Sequence, residues 1–155
     1  MNYTDKLSFL RVRLPEHLRS LDSQAKPMWG KMNAQQMIEH LGDSVREANG
    51  KTPREIISTP ERLPAMKDFL MSDKEFKPET KNIMMGSEPL PVTHGSMEEA
   101  IMKLEDELKD FENKYEKKPD SVITNPFFGH LNFEEWIQLL HKHAIHHLKQ
   151  FGVSV

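Results

Sequence analysis

Four stretches of the chain place apolar residues at helical spacing, and most of them carry a clear start signal. The first spans residues 4 to about 23 and contains Pro15, which is expected to break or kink it. The other three follow Asn33, Ser96 and Asn132, each with Gln or Glu three residues later, which predicts capping boxes. Because amphipathic helices bury their apolar faces against one another, the pattern predicts an all-α fold, a four-helix bundle.

The segments between these helices are interpreted as irregular. From Lys77 to Gly95, between the second and third principal helices, prolines and glycines recur without periodicity, and such a long connection often forms a lid or a binding wall. A proline-broken stretch from Thr52 to Phe76 contains one short amphipathic piece. The stretch from Lys117 to His130 is interpreted as a linker, because no segment shows convincing strand alternation.

Composition restricts the class of protein. A length of 155 residues fits one domain, spanning residues 1–155. A net charge of −3 without a basic block argues against nucleic acid as a partner. There is no long apolar run and no signal-peptide pattern, so we expect no membrane association and a cytoplasmic location. The chain has no cysteine, so a thiol used in its chemistry must come from a small molecule.

The last helix concentrates the chemistry, with histidines at 141, 143, 146 and 147. At about 100° per residue, His147 falls inside the apolar stripe and His143 lies just outside one edge. Two imidazoles four residues apart on a helix can bind one metal ion. The alternative is a pair that only packs and hydrogen-bonds inside the bundle. His141 is interpreted as a boundary residue and His146 as pointing to solvent.

A third ligand has to come from another helix, and His40 on the second helix is the best candidate, although its phase is off-centre. Its neighbour Ser44 lies one turn away, and Gln150 at the end of the last helix could donate a hydrogen bond to a ligand or contact substrate. Two further histidines, His94 in the long connection and His130 before the last helix, are candidates for the mouth of the site.

These residues carry a resemblance to a known family. The chain resembles the DinB-like (DinB/YfiT) superfamily of metalloenzymes, and more closely a domain-of-unknown-function branch of it. The resemblance covers nearly the whole chain. It rests on Trp29-Gly-Lys-Met-Asn-Ala-Gln-Gln-Met-Ile-Glu-His-Leu41, on Asn125-Pro-Phe-Phe-Gly-His-Leu131 and on the spacing His143-x-x-x-His147-x-x-Gln150.

The resemblance implies an up-down-down-up bundle, commonly a homodimer, with a metal held by His40, His143 and His147. A register with His143 and His146 as the pair on the last helix stays open. Zinc is the default ion for three imidazoles, and nickel, manganese and iron are also compatible.

The resemblance also implies a reaction class. Relatives include thiol-dependent transferases and isomerases that use low-molecular-weight thiols, while others resemble hydrolases. We therefore expect a metal-dependent thiol S-transferase or hydrolase that acts on a small molecule. Two alternatives are a non-catalytic, stress-related or ligand-binding bundle and a dimeric scaffold.

Overall fold

The computed structural model describes residues 2–79 and 88–155, and within these ranges the chain is mostly helical. Residues 80–87 of the irregular connection lie outside the described residues. The elements in chain order are α1 (Tyr3–Ser8), a π-helical turn (Phe9–Arg13), α2 (Leu14–Arg19), α3 (Ala34–Ala48), α4 (Leu63–Met71), α5 (Met97–Lys117), β1 (Ile123–Asn125), β2 (Gly129–Leu131) and α6 (Phe133–Gln150).

The first helical segment changes its hydrogen-bonding pattern just before the proline and then continues, so the helix is not broken there. Pro15 has no N–H to donate to the carbonyl oxygen four residues earlier. Just before it, the Leu14 N–H bonds to the Phe9 carbonyl oxygen, five residues back, which is the spacing of a π-helical turn. The wider turn absorbs the proline, so that α1 and α2 form one helical path that ends at Arg19.

Both helices that carry candidate metal ligands begin at complete capping boxes. The Asn33 side chain accepts from the Gln36 N–H, and the Gln36 side chain accepts from the Asn33 N–H, at the start of α3. Asn132 and Glu135 make the same pair of bonds at the start of α6. These reciprocal bonds satisfy N–H groups that a helix leaves unpaired, and they confirm two predicted helix starts.

The predicted capping box at α5 forms only in half. Ser96 Oγ accepts from the Glu99 N–H at 3.1 Å, but the Glu99 carboxylate accepts from the Gly95 N–H at 2.8 Å. The return bond therefore reaches one residue further back than a capping box requires.

The stretch interpreted as a linker contains a small hairpin, which corrects the purely helical prediction. β1 pairs antiparallel with β2, and Asn125 Oδ1 accepts from two N–H groups of the connecting turn, those of Phe127 and Phe128. Trp136 Nε1 donates to the Ile123 carbonyl oxygen, which attaches the hairpin to α6. Strands of three residues are too short to show an alternating pattern.

The four long helical segments contact one another around an apolar core. The N-terminal segment contacts α6 through α1 and α5 through α2, and α3 contacts both α5 and α6. The core takes buried side chains from every one of these helices, including Leu18, Met37, Phe111 and Ile137. Among the described residues, no helix combines the length and the apolar character needed to cross a membrane. The α3–α6 contact is the one that positions the site described next.

Candidate metal centre

Three histidines meet where α3 faces α6, and we call them the histidine cluster: His40 from α3 with His143 and His147 from α6. The Nε2 atom of His143 lies 2.9 Å from Nε2 of His40 and 3.0 Å from Nε2 of His147. Two nitrogens that bind the same ion at about 2.1 Å can be no more than about 4.2 Å apart. Both of these separations meet that limit, and the three ligand atoms lie within 4.8 Å of one another, which makes the cluster a candidate site for one metal ion.

Burial keeps all three imidazoles neutral at pH 7. It lowers the pKa of His40 to about 4, with a smaller contribution from nearby His146. The pKa of His147 is lowered to about 3 by burial and by His40, against the hydrogen bond with Gln150. His143 has a pKa well below its ordinary value, again chiefly through burial. Neutral imidazole is the form that binds a metal.

Gln150 orients the ring of His147. Its Nε2 donates to the Trp29 carbonyl oxygen at 2.9 Å, so its Oε1 faces His147 Nδ1, at 2.7 Å. Because an amide oxygen only accepts, His147 must carry its proton on Nδ1. Its Nε2 then presents a lone pair to the other two histidines, as a metal ligand requires.

Ser44 plays the corresponding part for His143. Its hydroxyl donates to the His40 carbonyl oxygen at 3.3 Å, one turn back, and its Oγ lies 3.1 Å from His143 Nδ1. With the hydroxyl proton so directed, the oxygen accepts from an Nδ1–H, and His143 also presents a lone pair on Nε2. Ser44 and Gln150, both sequence candidates, therefore contact two different histidines of the cluster.

A cavity of about 280 Å³ adjoins His40, between α3, α5 and residues 89–94. Glu39 fixes that last segment, because its carboxylate accepts from the N–H groups of Thr93 and His94 and from the Gln35 side chain. Burial would raise the pKa of Glu39, but these hydrogen bonds outweigh it and lower the pKa. His94 lines the cavity with His40, so the described end of the long connection forms a wall beside the cluster.

Two other sequence candidates lie elsewhere. His130 is exposed on β2, where its Nδ1 lies 2.8 Å from Thr124 Oγ1. The expectation that His146 points to solvent is wrong, because its ring is buried against Trp29 and Phe76. Segments outside α6 cover it, which the periodicity of the helix alone does not reveal.

Sequence reasoning missed a second buried polar group, which we call the Glu107 cluster. The Glu107 side chain on α5 is 0% exposed. It accepts from Arg46 Nη1 at 2.6 Å, Lys51 Nζ at 2.6 Å and Asn49 Nδ2 at 3.1 Å, and Lys103 Nζ lies 3.3 Å away. Burial would raise the pKa of this carboxyl, but the hydrogen bonds, first that from Lys51, lower it to about 2.

A family model described as the DinB superfamily matches residues 6–151, a range that contains all three histidines of the cluster and Gln150. No curated protein and no solved structure matches the chain.

Proposed function

The chain belongs to the DinB superfamily, and on that premise we propose that it is a metal-dependent enzyme acting on a small molecule. The observation that carries the proposal is the convergence of His40, His143 and His147 with their ligand atoms within 4.8 Å of one another. Three protein ligands leave a divalent ion with open positions, the pattern of catalytic rather than structural zinc sites. Zinc is the ion we propose first, with nickel, manganese and iron as alternatives.

In this proposal the metal supplies Lewis acidity, which lowers the pKa of water or of a thiol and polarises carbonyl groups. The chain's own residues orient the metal-binding histidines and bind the substrate. Ser44 and Gln150 contact Nδ1 of His143 and His147, so that the Nε2 lone pair of each ring faces the centre of the cluster. The cavity beside His40 receives the substrate, and because the chain has no cysteine, a reacting thiol would be a low-molecular-weight one.

We propose the up-down-down-up arrangement for the bundle, and the order of contacts supports it. Contacts of the N-terminal segment with α6 advance in the same direction along both helices. Those of α3 with α5 and the residues just before it do the same, whereas those of α3 with α6 advance in opposite directions. The pairs are Lys6–Gln138, Phe9–His141, Gln35–His94, Arg46–Glu107, Ser44–His143 and His40–His147. The homodimer and the cytoplasmic location stay predictions.

The test is elemental analysis and zinc uptake at pH 7, using protein purified without a histidine tag. We expect about one equivalent of metal in the wild type and in the control His130→Ala, because that histidine is exposed on β2 and is not part of the cluster. His40→Ala and His147→Ala should each lose it while circular dichroism still shows a folded helical protein. A wild type that neither contains metal nor takes up zinc or nickel would contradict the proposal and favour a non-catalytic ligand-binding bundle.

A further inference from the structure

We propose that the cavity beside His40 binds a small organic molecule by its anionic group, a carboxylate or a phosphate, which Arg46 and Lys103 hold. The inference deepens the proposed function and rests on it, because the same cavity reaches the histidine cluster through His40. Its volume of about 280 Å³ is close to the lower end of the roughly 300–1,000 Å³ that is typical of small-molecule sites. The occupant is therefore a small metabolite-sized molecule.

The cationic wall of the cavity has unused donors. The side chains of Arg46 and Lys103 are 37% and 44% exposed, and both line the cavity. A guanidinium has five N–H donors, and among the described residues Arg46 uses only Nη1, toward Glu107. The Lys103 ammonium makes the longest contact of the Glu107 cluster, at 3.3 Å. Both cations can therefore turn donors toward an anion in the cavity.

Glu107 holds these cations in place, and its single negative charge neutralises only part of their positive charge. Its two oxygens already accept from Arg46, Lys51 and Asn49 and contact Lys103, so the carboxylate has little capacity left for a ligand. Three cations surround this one carboxylate, and two of them, Arg46 and Lys103, line the cavity, so positive charge is in excess locally at this end of it. This end therefore favours an anion, although Glu39 and Asp43 place negative charge on the same lining.

Two acidic residues of the same lining, Glu39 and Asp43, oppose this charge, and they give the inference a sharp test. Glu39 is engaged by Thr93, His94 and Gln35, so it is not free to bind a ligand. Asp43, three residues before Arg46, lines the cavity and forms no ion pair within 4 Å with any described residue. Removing the charge of Asp43 should therefore strengthen the binding of an anion and weaken that of a cation.

Gly42 provides the space. It lies in the interior of α3 and lines the cavity, and a Cβ atom added there would meet nothing within 4 Å. Glycine in a helix interior costs about 1 kcal/mol relative to alanine. No described neighbour requires the missing side chain, so we infer that the space serves an occupant.

The distance along α3 sets the length of the probe. His40 and Arg46 are six residues apart, which corresponds to about 9 Å of helix rise. A six-carbon chain with a terminal anion spans most of that distance. Sodium hexanoate and hexyl phosphate are therefore suitable probes, with hexylamine and hexanol as matched cationic and neutral compounds.

Calorimetric titration is done on chelator-treated protein, so that no anion can bind through a metal. We expect hexanoate or hexyl phosphate to bind at least tenfold more tightly than hexylamine and hexanol. Lys103→Gln should weaken that binding about tenfold, and Asp43→Asn should strengthen it two- to fivefold. Lys109→Gln, on the same helix but outside the cavity lining, should change it less than twofold. Gly42→Val should weaken binding, because its side chain occupies part of the cavity.

The inference would be overturned if the wild type bound neither anion, if hexylamine or hexanol bound equally well, or if Lys103→Gln behaved like Lys109→Gln. Thermal unfolding of each variant identifies loss of fold, and Glu107 keeps three other partners in Lys103→Gln. Zinc uptake by the same proteins separates the two proposals. Anion binding without zinc uptake supports the inference and contradicts the proposed function, and zinc uptake without anion binding does the reverse.

Discussion

Helix α3 contributes to two buried polar clusters that differ in one respect. Toward α5 it gives Arg46 and Asn49 to the Glu107 cluster, in which a carboxylate meets cations and an amide. Toward α6 it gives His40 to the histidine cluster, where among the described residues three neutral bases face one another without an acid. In the first cluster the buried carboxylate finds its partners within the chain. The second is a set of electron-pair donors, and a cation would complete it.

The largest expected difference between the two clusters is the response to zinc. At free zinc about a thousandfold above its dissociation constant, the free energy of unfolding should rise by about 4 kcal/mol, because the ion binds only the folded chain. His143→Ala should show no rise, since Nε2 of His143 is in both short contacts. Urea unfolding with and without zinc measures this, and His130→Ala should respond like the wild type. An equal response in His143→Ala would contradict the assignment.

Neutralising the carboxylate tests the Glu107 cluster. Glu107→Gln should lower the free energy of unfolding by about 3 kcal/mol, at the low end for a broken buried ion pair because the cations are partly exposed. The matched control is Glu105→Gln, which breaks an exposed pair with Arg19 and should cost less than about 1 kcal/mol.

Zinc should stabilise the Glu107→Gln and Glu105→Gln proteins as it does the wild type. A Glu107→Gln protein that lost its zinc response would show that the two clusters are coupled through α3, against the comparison drawn above.

A smaller effect is expected from the residue that orients His147. Gln150→Leu should weaken zinc binding about 10- to 100-fold, the usual cost of removing a hydrogen bond to a metal-binding imidazole. Lys149→Gln, at the exposed neighbouring position, is the control. Competition with a zinc chelator measures the affinity, and equal affinities of the two variants would refute an orienting role for Gln150.

The smallest expected effect is a difference between the two clusters in how the stability of the metal-free protein depends on pH. The pKa values of His40 and His147 are lowered to about 4 and about 3, so below about pH 6.5 the unfolded chain binds more protons than the folded one. The free energy of unfolding therefore decreases as the pH is lowered below about 6.5, by up to about 1.4 kcal/mol per pH unit for each histidine. The pKa of Glu107 is lowered to about 2, and its contribution is lost only as the pH falls through about 4.5 toward 2.

Urea unfolding at pH 6 and pH 5 therefore separates the two clusters. His40→Ala should reduce the loss of stability over this interval, and Glu107→Gln should leave it nearly unchanged. The opposite result would assign the acid sensitivity to the carboxylate.

Local sequence signals predicted the parts of this structure that neighbouring residues determine. The capping boxes at Asn33 and Asn132 follow from residues three positions apart. The spacing of His143 and His147 likewise brought the two residues to one side of α6. Interactions within one or two turns of a helix can be read in this way.

Contacts between distant segments were beyond such reasoning. The periodicity of α3 left His40 off-centre, yet its ring meets His143, which is 103 residues away. His146 was misassigned because Trp29 and Phe76, from segments outside the helices, cover it.

One signal for the Glu107 cluster was nevertheless present in the sequence. Glu107 lies three residues after Leu104 and four before Phe111, within the apolar stripe of α5. A charged residue at a core-facing position predicts buried partners, because an unpaired buried charge is costly. The cations that pair with it come mainly from α3 and from Lys51 just beyond its end, and a single helix pattern cannot identify them.

The two tryptophans have different neighbours, so their fluorescence reports on different parts of the protein. Trp29 supplies the carbonyl that orients Gln150, and its indole lies 5.5 Å from the ring of His146. Trp136 is instead buried at the start of α6 and bonded to the hairpin. A Trp136→Phe protein would therefore carry a single tryptophan, linked through Gln150 to His147 of the histidine cluster, so that its emission could follow events there without any attached label.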